Sequence, residues 1–299
     1  MCGIFGIYST KTIELDYLLK SLELLQHRGK DSFGIGYIAI NNVNHYNHFK
    51  GKGLVCDSEI YTNKKAINTQ INLGIGHVKY TTSISKPISK PIYDSTIENC
   101  DIQPLDKISK RDGKLISLVH NGNIPNTPYY DSQYILDFLC SETETNNFTD
   151  NLIKLIKTIE VSYNLLIIYD NKLYIVRDRS GIRPLSLVHD IKTDNYYISS
   201  ETIAFEHLNI KGEPTDIPPG CIIELSSGGM KTIYNHPESV NKLCVFELLY
   251  FMNPNSKING KYVYETREQL GKLLAMGEYT GEYTGEYTGE YTGEYTGEY

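Results

Sequence analysis

The sequence predicts an α+β fold built in layers, with antiparallel sheets. Three observations carry that expectation. Short β-rich runs fill most of the stretch from Cys2 to about Tyr234 and are joined by tight turns. The helical stretches sit before and between these runs, without the strict strand–helix–strand alternation of a doubly wound parallel sheet. The chain has 299 residues, 40% hydrophobic and 22% charged, which suits one large globular domain or two small ones.

In chain order, "CGIFGIY" reads as a buried first strand. "ELDYLLKSLELL" places Leu15, Leu18, Leu19, Leu22 and Leu25 on one helical face. "FGIGYIAI", "INLGIGHVKY" and "LISLVHN" read as strands, two of them with internal glycines. "QYILDFLCSE" sets Ile135, Phe138 and Leu139 on a helical face, and "TDNLIKLIKTI" continues as a second helix. "YNLLIIYD", "KLYIVRD", "PLSLVHD" and "NYYISS" follow as strands, and Ser226–Met230 reads as a hairpin turn. From about Pro237 the texture changes. "LCVFELLYFMNPNS" is an apolar run ended by a turn, and "YVYETREQLGKLLA" is helical in pattern. Residues 276–299 then run into a Gly-Glu-Tyr-Thr repeat with no aliphatic residue after Met276, a composition that predicts disorder and needs no function.

Composition removes several function classes. Net charge is −7, but six of the 36 acidic residues are glutamates of the repeat; without them 30 acids face 29 bases. That balance lacks the basic excess that nucleic-acid binding requires. No apolar run is long enough for a bilayer, and no basic-then-apolar leader opens the chain, so neither membrane nor secretion is expected. Cys2, Cys56, Cys100, Cys140, Cys221 and Cys244 are scattered, with no C-x-x-C pair. Such usage predicts reduced thiols in the cytoplasm, and no metal site.

Several short stretches could carry chemistry, and each also has a plain structural reading. Cys2 follows the initiator methionine, which is trimmed when the next residue is small. The mature chain would then carry a thiol and an α-amine on one residue, and an amine of pKa about 7.7–8.0 is suited to general-base work. Alone, Cys2 reads equally as a buried strand residue. Asn121-Gly122 in "LVHNGNIPN" is a hairpin-turn signal or a pair of donors to a developing oxyanion. Arg28 and Gly29 in "LQHRGKDSFGIG" read as a loop closing over the first strand, or as a solvated helix end with Gly29 at C′. Lys79 and Thr82 end a strand, and Asp131 and Ser132 open a helix where either could cap it.

Taken together and in order, the segments "CGIFGIY", "LQHRGKDSFGI", "GIGHVKYTT", "HNGNI", "RDRSGIRPL", "SSETIAF", "DIPPGCIIEL", "CVFELLYF" and "VYETREQLGKLLA" resemble the class II glutamine amidotransferases, which are N-terminal-nucleophile hydrolases. The resemblance covers residues 2 to about 275. Its last two segments point to members that carry a phosphoribosyltransferase half.

The resemblance implies a four-layer αββα sandwich with two antiparallel sheets, and L-glutamine as substrate. It implies Cys2 as nucleophile with its amine as base, and Asn121 and Gly122 as the oxyanion hole. Asp131 would hold the substrate's α-amine, Lys79 its α-carboxylate with Thr82 nearby, and Arg28 and Gly29 would shape the loop over the nucleophile. Two departures stand out. The family usually has arginine where this chain has Lys79, and commonly a longer segment between Asn121 and Asp131.

On this reading residues 2–236 form the glutamine amidotransferase domain and 237–275 the start of a phosphoribosyltransferase domain. No acidic strand end with a Gly-Thr-Thr loop follows, and no phosphate loop of the G-x-x-x-x-G-K type occurs. Transferase activity is therefore not expected of this chain alone. Cys244 matches an iron–sulfur ligand of some members, but its companions do not occur here, so no cofactor is expected. The expected activity is release of ammonia from glutamine through a cysteinyl thioester. The alternative is a non-catalytic glutamine-binding or assembly partner of a full-length enzyme. Partners in view are glutamine, a second copy, or a separate transferase chain.

Overall fold

The computed structural model describes residues 2–40, 45–80, 102–141 and 147–280. Two antiparallel sheets lie face to face, with helices on both outer faces.

The first sheet holds β1 (Gly3–Glu14), β2 (Ser32–Ala39), β3 (His45–Lys52), β4 (Gln70–Lys79), β9 (Ser186–Asp190), β10 (Asn195–Ser199) and β11 (Thr215–Asp216), in the order β11-β9-β10-β1-β4-β2-β3. The second holds β5 (Leu105–Ile108), β6 (Leu115–Gly122), β7 (Tyr163–Tyr169), β8 (Lys172–Arg177), β12 (Cys221–Ser226) and β13 (Gly229–Asn235), in the order β13-β12-β8-β7-β6-β5. A small hairpin of β14 (Lys257–Ile258) and β15 (Lys261–Tyr262) follows.

Alternation along the strands builds three cores. In β1, Phe5 and Ile7 face α1 (Leu15–Leu24) and α6 (Ile203–His207), whereas Ile4 and Tyr8 face the second sheet. In β7, Leu166 and Ile168 face the first sheet. Leu165 and Ile167 of that strand pack with α4 (Asp131–Cys140) and α5 (Phe148–Thr158). Strands buried on both faces read as unbroken apolar runs, which is why "YNLLIIY" shows no period-two signal. This is the α–β–β–α layering that the sequence predicts.

The predicted helices form, with one shift of face. Leu15, Leu18, Leu19 and Leu22 of α1 are buried as expected. In α4 the buried set is Ile135, Leu136 and Leu139, and Phe138 is only partly buried. Gly76 of β4 lets α1 sit close, since a Cβ there would lie 2.8 Å from Leu22 Cδ1. The expected turn at 226–230 is the β12–β13 hairpin, closed by Ser226 opposite Gly229.

Beyond β13 the chain stays against the sandwich. Val240, Lys242 and Cys244 donate backbone N–H groups to the carbonyls of Arg179, Ser180 and Ile182 at 2.9, 2.7 and 3.0 Å. A π-helical turn follows at Glu247–Phe251. The last described helix is α7 (Val263–Thr280), whose backbone takes in the first Gly-Glu-Tyr-Thr copy at 277–280; the later copies lie outside the described residues. No helix among the described residues is long and apolar enough to cross a membrane. The short helices α2 (Glu59–Thr62) and α3 (Lys64–Ile67) fill the connection into β4.

Candidate active site

The sequence-predicted residues that the structure describes lie at one end of the sandwich. Cys2 immediately precedes β1, whose Gly3 pairs with Val78 of β4. One residue further along β4, Lys79 pairs with Ser32 of β2. Asn121 and Gly122 end β6 in the facing sheet, opposite Asn164 and Tyr163 of β7. The two sheets are linked here by Ser200. Its hydroxyl accepts the Ile4 N–H at 3.0 Å and lies 3.4 Å from the Asn121 amide nitrogen, while its own N–H donates to the Ile4 carbonyl at 3.0 Å.

Asn121-Gly122 is therefore not a hairpin turn. Both residues are strand, and Asn121 is 1% exposed. Gly122 is required by packing: a Cβ would fall 2.4 Å from the Ser162 carbonyl oxygen and 2.5 Å from His120 Nε2.

Arg28 and Gly29 also depart from the solvated-helix-end reading. The chain makes a 3₁₀ turn over Gln26–Arg28, and the Arg28 side chain is fully buried. Its Nε donates to the Cys2 carbonyl at 2.9 Å. One terminal nitrogen donates to Glu201, and the other to both carboxylate oxygens of Glu247 at 2.8 and 3.0 Å. Burial works against the guanidinium charge, but Glu247 and Glu201 more than restore it and raise the Arg28 pKa. Burial likewise pushes the Glu201 carboxyl up, yet Arg28 and His27 hold it at about 2. Gly29 is extended, with φ −169°, so it is no left-handed C′ glycine. It is needed for close approach, because a Cβ would sit 2.4 Å from the Lys79 carbonyl carbon.

Asp131 is the first residue of α4, and Tyr130 takes the N-cap position. The Asp131 carboxylate accepts the Ser132 N–H at 2.7 Å and the Ile124 N–H at 3.2 Å. It also lies 3.9 Å from His120 Nδ1, the neighbour of Asn121 in β6. The short connection from Asn121 thus still returns Asp131 to the end of that strand. Thr82 lies outside the described residues.

Sequence reasoning missed the polar layer beneath these groups. His77 of β4, paired with Ile4, is fully buried. Burial, then Lys79 and His120, lower its pKa from 6.5 to about 3. His120 is lowered too, by burial and Arg183 against the pull of Asp131, and its Nδ1 lies 3.0 Å from Ser132 Oγ. Gln103 donates to Ser132 Oγ at 2.9 Å and accepts the His120 N–H at 2.5 Å. A lone histidine inside "GIGHVKY" was the available signal. Ser200, Glu201 and Glu247 lie in the segments "SSETIAF" and "CVFELLYF" that carry the resemblance, but nothing local gave them a role.

The buried neutral His77 has a stability consequence. Between pH 6.5 and about 3 the unfolded chain binds a proton there that the folded chain does not. Stability therefore falls as pH falls through that window, by up to about 1.4 kcal/mol per pH unit from this group. Urea midpoints measured from pH 7 to pH 4 should decline less steeply in His77→Gln than in wild type.

A cavity of about 350 Å³, lined by Thr12, Glu14, Gln70, Asp190 and Asn195, lies at the far end of β1 and contains none of the site residues. The described residues contain no group of three or more side chains suited to hold a metal.

What stands at this end of the sandwich is a small thiol residue at a strand start, a buried amide at the end of a facing strand, and a carboxylate and an ammonium nearby. Among solved structures, a class II glutamine aminotransferase domain protein from Silicibacter pomeroyi has the same fold over 79% of this chain and all of its own, with a TM-score of 0.51 at 12% identity. The Bacillus subtilis glutamine phosphoribosylpyrophosphate amidotransferase, solved with ADP and GMP, matches 92% of this chain with a TM-score of 0.74 at 25% identity, over 58% of its own length. No family model matches. By fold the chain matches the class II glutamine amidotransferase domain, a sandwich of two antiparallel sheets between helices.

Within that class it is similar to the N-terminal part of the amidophosphoribosyltransferases. Identity is 33% to the protein of Methanothermobacter thermautotrophicus and 33% to that of Methanocaldococcus jannaschii, over 91% and 92% of this chain. The chain spans 57% and 61% of those two relatives.

Proposed function

We propose that this chain releases ammonia from L-glutamine through a thioester on Cys2. The observation that carries the reading is the junction at Ser200, which ties the strand bearing Cys2 to Asn121 of the facing sheet. With Met1 removed, the Cys2 amine takes the thiol proton, directly or through a water. The sulfur attacks the carboxamide carbon, and the oxygen gains the negative charge. The Asn121 amide and the Gly122 N–H donate to that oxyanion. The ammonium returns its proton to the leaving nitrogen, the C–N bond breaks, and ammonia departs. Water, deprotonated by the same amine, then opens the γ-glutamyl thioester and frees glutamate.

Asp131 pairs with the substrate ammonium and Lys79 with its carboxylate. Arg28, through the Cys2 carbonyl, and Gly29, through its contact with the Lys79 backbone, set the loop over the nucleophile. Lysine offers a point charge where arginine would offer a fork. Lys79→Arg should therefore lower KM for glutamine about 3- to 10-fold and leave kcat within twofold; an unchanged KM would remove Lys79 from the carboxylate's site. The phosphoribosyl transfer made by the full-length relatives is proposed only for an assembly in which a transferase half accompanies this one. The direct test is a coupled assay for glutamate and ammonia from L-glutamine, with L-asparagine as the control that should not react. Release from neither substrate would favour a non-catalytic role.

A further inference from the structure

Glu247 is a fully buried carboxylate on a segment that otherwise shows apolar side chains to the outside. Its neighbours Phe246, Leu249 and Tyr250 are exposed, while Glu247 is 0% exposed. Among such neighbours an apolar side chain would seat the turn, yet leucine here alone would leave the buried Arg28 charge short of a partner. The charge must therefore be explained by what it touches. It accepts two hydrogen bonds from one terminal nitrogen of Arg28, and Arg183 lies 3.7 Å away. The same segment holds Glu201 through the Asn253 N–H and the Ser256 hydroxyl, at 2.8 and 2.7 Å. Arg28 is thus gripped on both terminal nitrogens by carboxylates, leaving its Nε–H aimed at the Cys2 carbonyl. Glu201 alone would hold the guanidinium at one corner and leave its plane free to turn.

We propose that Glu247 is a positioning residue for amide cleavage. It fixes the Arg28 guanidinium so that its Nε–H clamps the Cys2 carbonyl, which sets where the sulfur and the amine of Cys2 point. The segment following residue 236 then completes the site rather than merely following it. This inference rests on the reading of Cys2 as nucleophile.

The test is steady-state glutamine hydrolysis by the full chain carrying Glu247→Gln, Glu247→Ala or Arg28→Ala, and by the Arg28→Ala/Glu247→Ala double variant. Sites are counted by titration with a glutamine-analogue electrophile, so that a loss of folded protein alone leaves kcat per site unchanged. Glu247→Gln keeps an acceptor but drops the charge; it should lower kcat about 10-fold, and Glu247→Ala about 100-fold, with KM within twofold. The double variant should be no slower than Arg28→Ala, because Glu247 acts only through Arg28. Unchanged kcat per site in Glu247→Gln, a rise in KM alone, or multiplicative losses in the double variant would each overturn the proposal. If Glu247→Ala does not fold, Glu247→Gln and Glu247→Asp decide by the same kcat criterion. Loss of activity in Cys2→Ala with normal Glu247 variants would reject this role alone. Full activity in Cys2→Ala would reject the nucleophile reading itself.

Discussion

Cys2→Ala should abolish glutamine hydrolysis, lowering kcat/KM by about four orders of magnitude or more. Cys140, Cys221 and Cys56 are poorly suited to take the sulfur's place. Cys140 and Cys221 are buried in apolar cores, and burial pushes both thiols up to about 11. Cys56 is raised as well, by burial and Asp57. A raised thiol is a poor source of thiolate near neutral pH. The variant should still fold, because Cys2 precedes β1 and the first core side chain is Ile4. Thermal unfolding should therefore match wild type within a few degrees while ammonia release vanishes. Activity that survives the substitution would move the chemistry elsewhere.

Asn121→Ala should cost about 10²- to 10³-fold in kcat, or about 2.7–4 kcal/mol of barrier, with a small change in KM. In the proposed mechanism the amide donates to an oxygen that becomes negative only as the sulfur attacks, so its loss would be felt in the transition state and little in the bound substrate. The position is rigid: Asn121 is buried, paired across to Asn164, and beside the Ser200 hydroxyl. Asn121→Asp sharpens the result, since it keeps the shape and sets a negative charge against the oxyanion. It should be at least as slow as Asn121→Ala. Equal activity in wild type and Asn121→Ala would take this amide out of the reaction.

Much of the framework was legible in local pattern. The leucine spacing of "ELDYLLKSLELL" fixes both the helix and its buried face, because 3.6-residue periodicity needs no tertiary information. The strand runs were legible for the same reason, although burial on both faces hid which side met which core. Asn121-Gly122 misled: the dipeptide is a turn signal locally, yet pairing with β7 and the space beside His120 hold it in a strand. At Arg28 the local alternative, a solvated helix end, fails in the opposite sense. An arginine at a helix end reads as solvated, and only the carboxylates of Glu201 and Glu247, 173 and 219 residues away, make its burial tolerable. Gly29 was visible as a special position, but for its close approach to Lys79 and not for a left-handed φ. Contacts across such separations leave no mark on a local window, and Glu247 is the clearest case.

In the proposed mechanism Cys2 is the first residue of the working chain and its sulfur carries the γ-glutamyl group. Intact-mass and peptide analysis of the purified protein after exposure to a glutamine-analogue diazoketone tests it most directly. The expected product is a chain that has lost Met1, with one adduct, located on Cys2, and ammonia release that falls in step with labelling. A chain that keeps Met1 and still hydrolyses glutamine, or an adduct on another cysteine with Cys2 untouched, would contradict it.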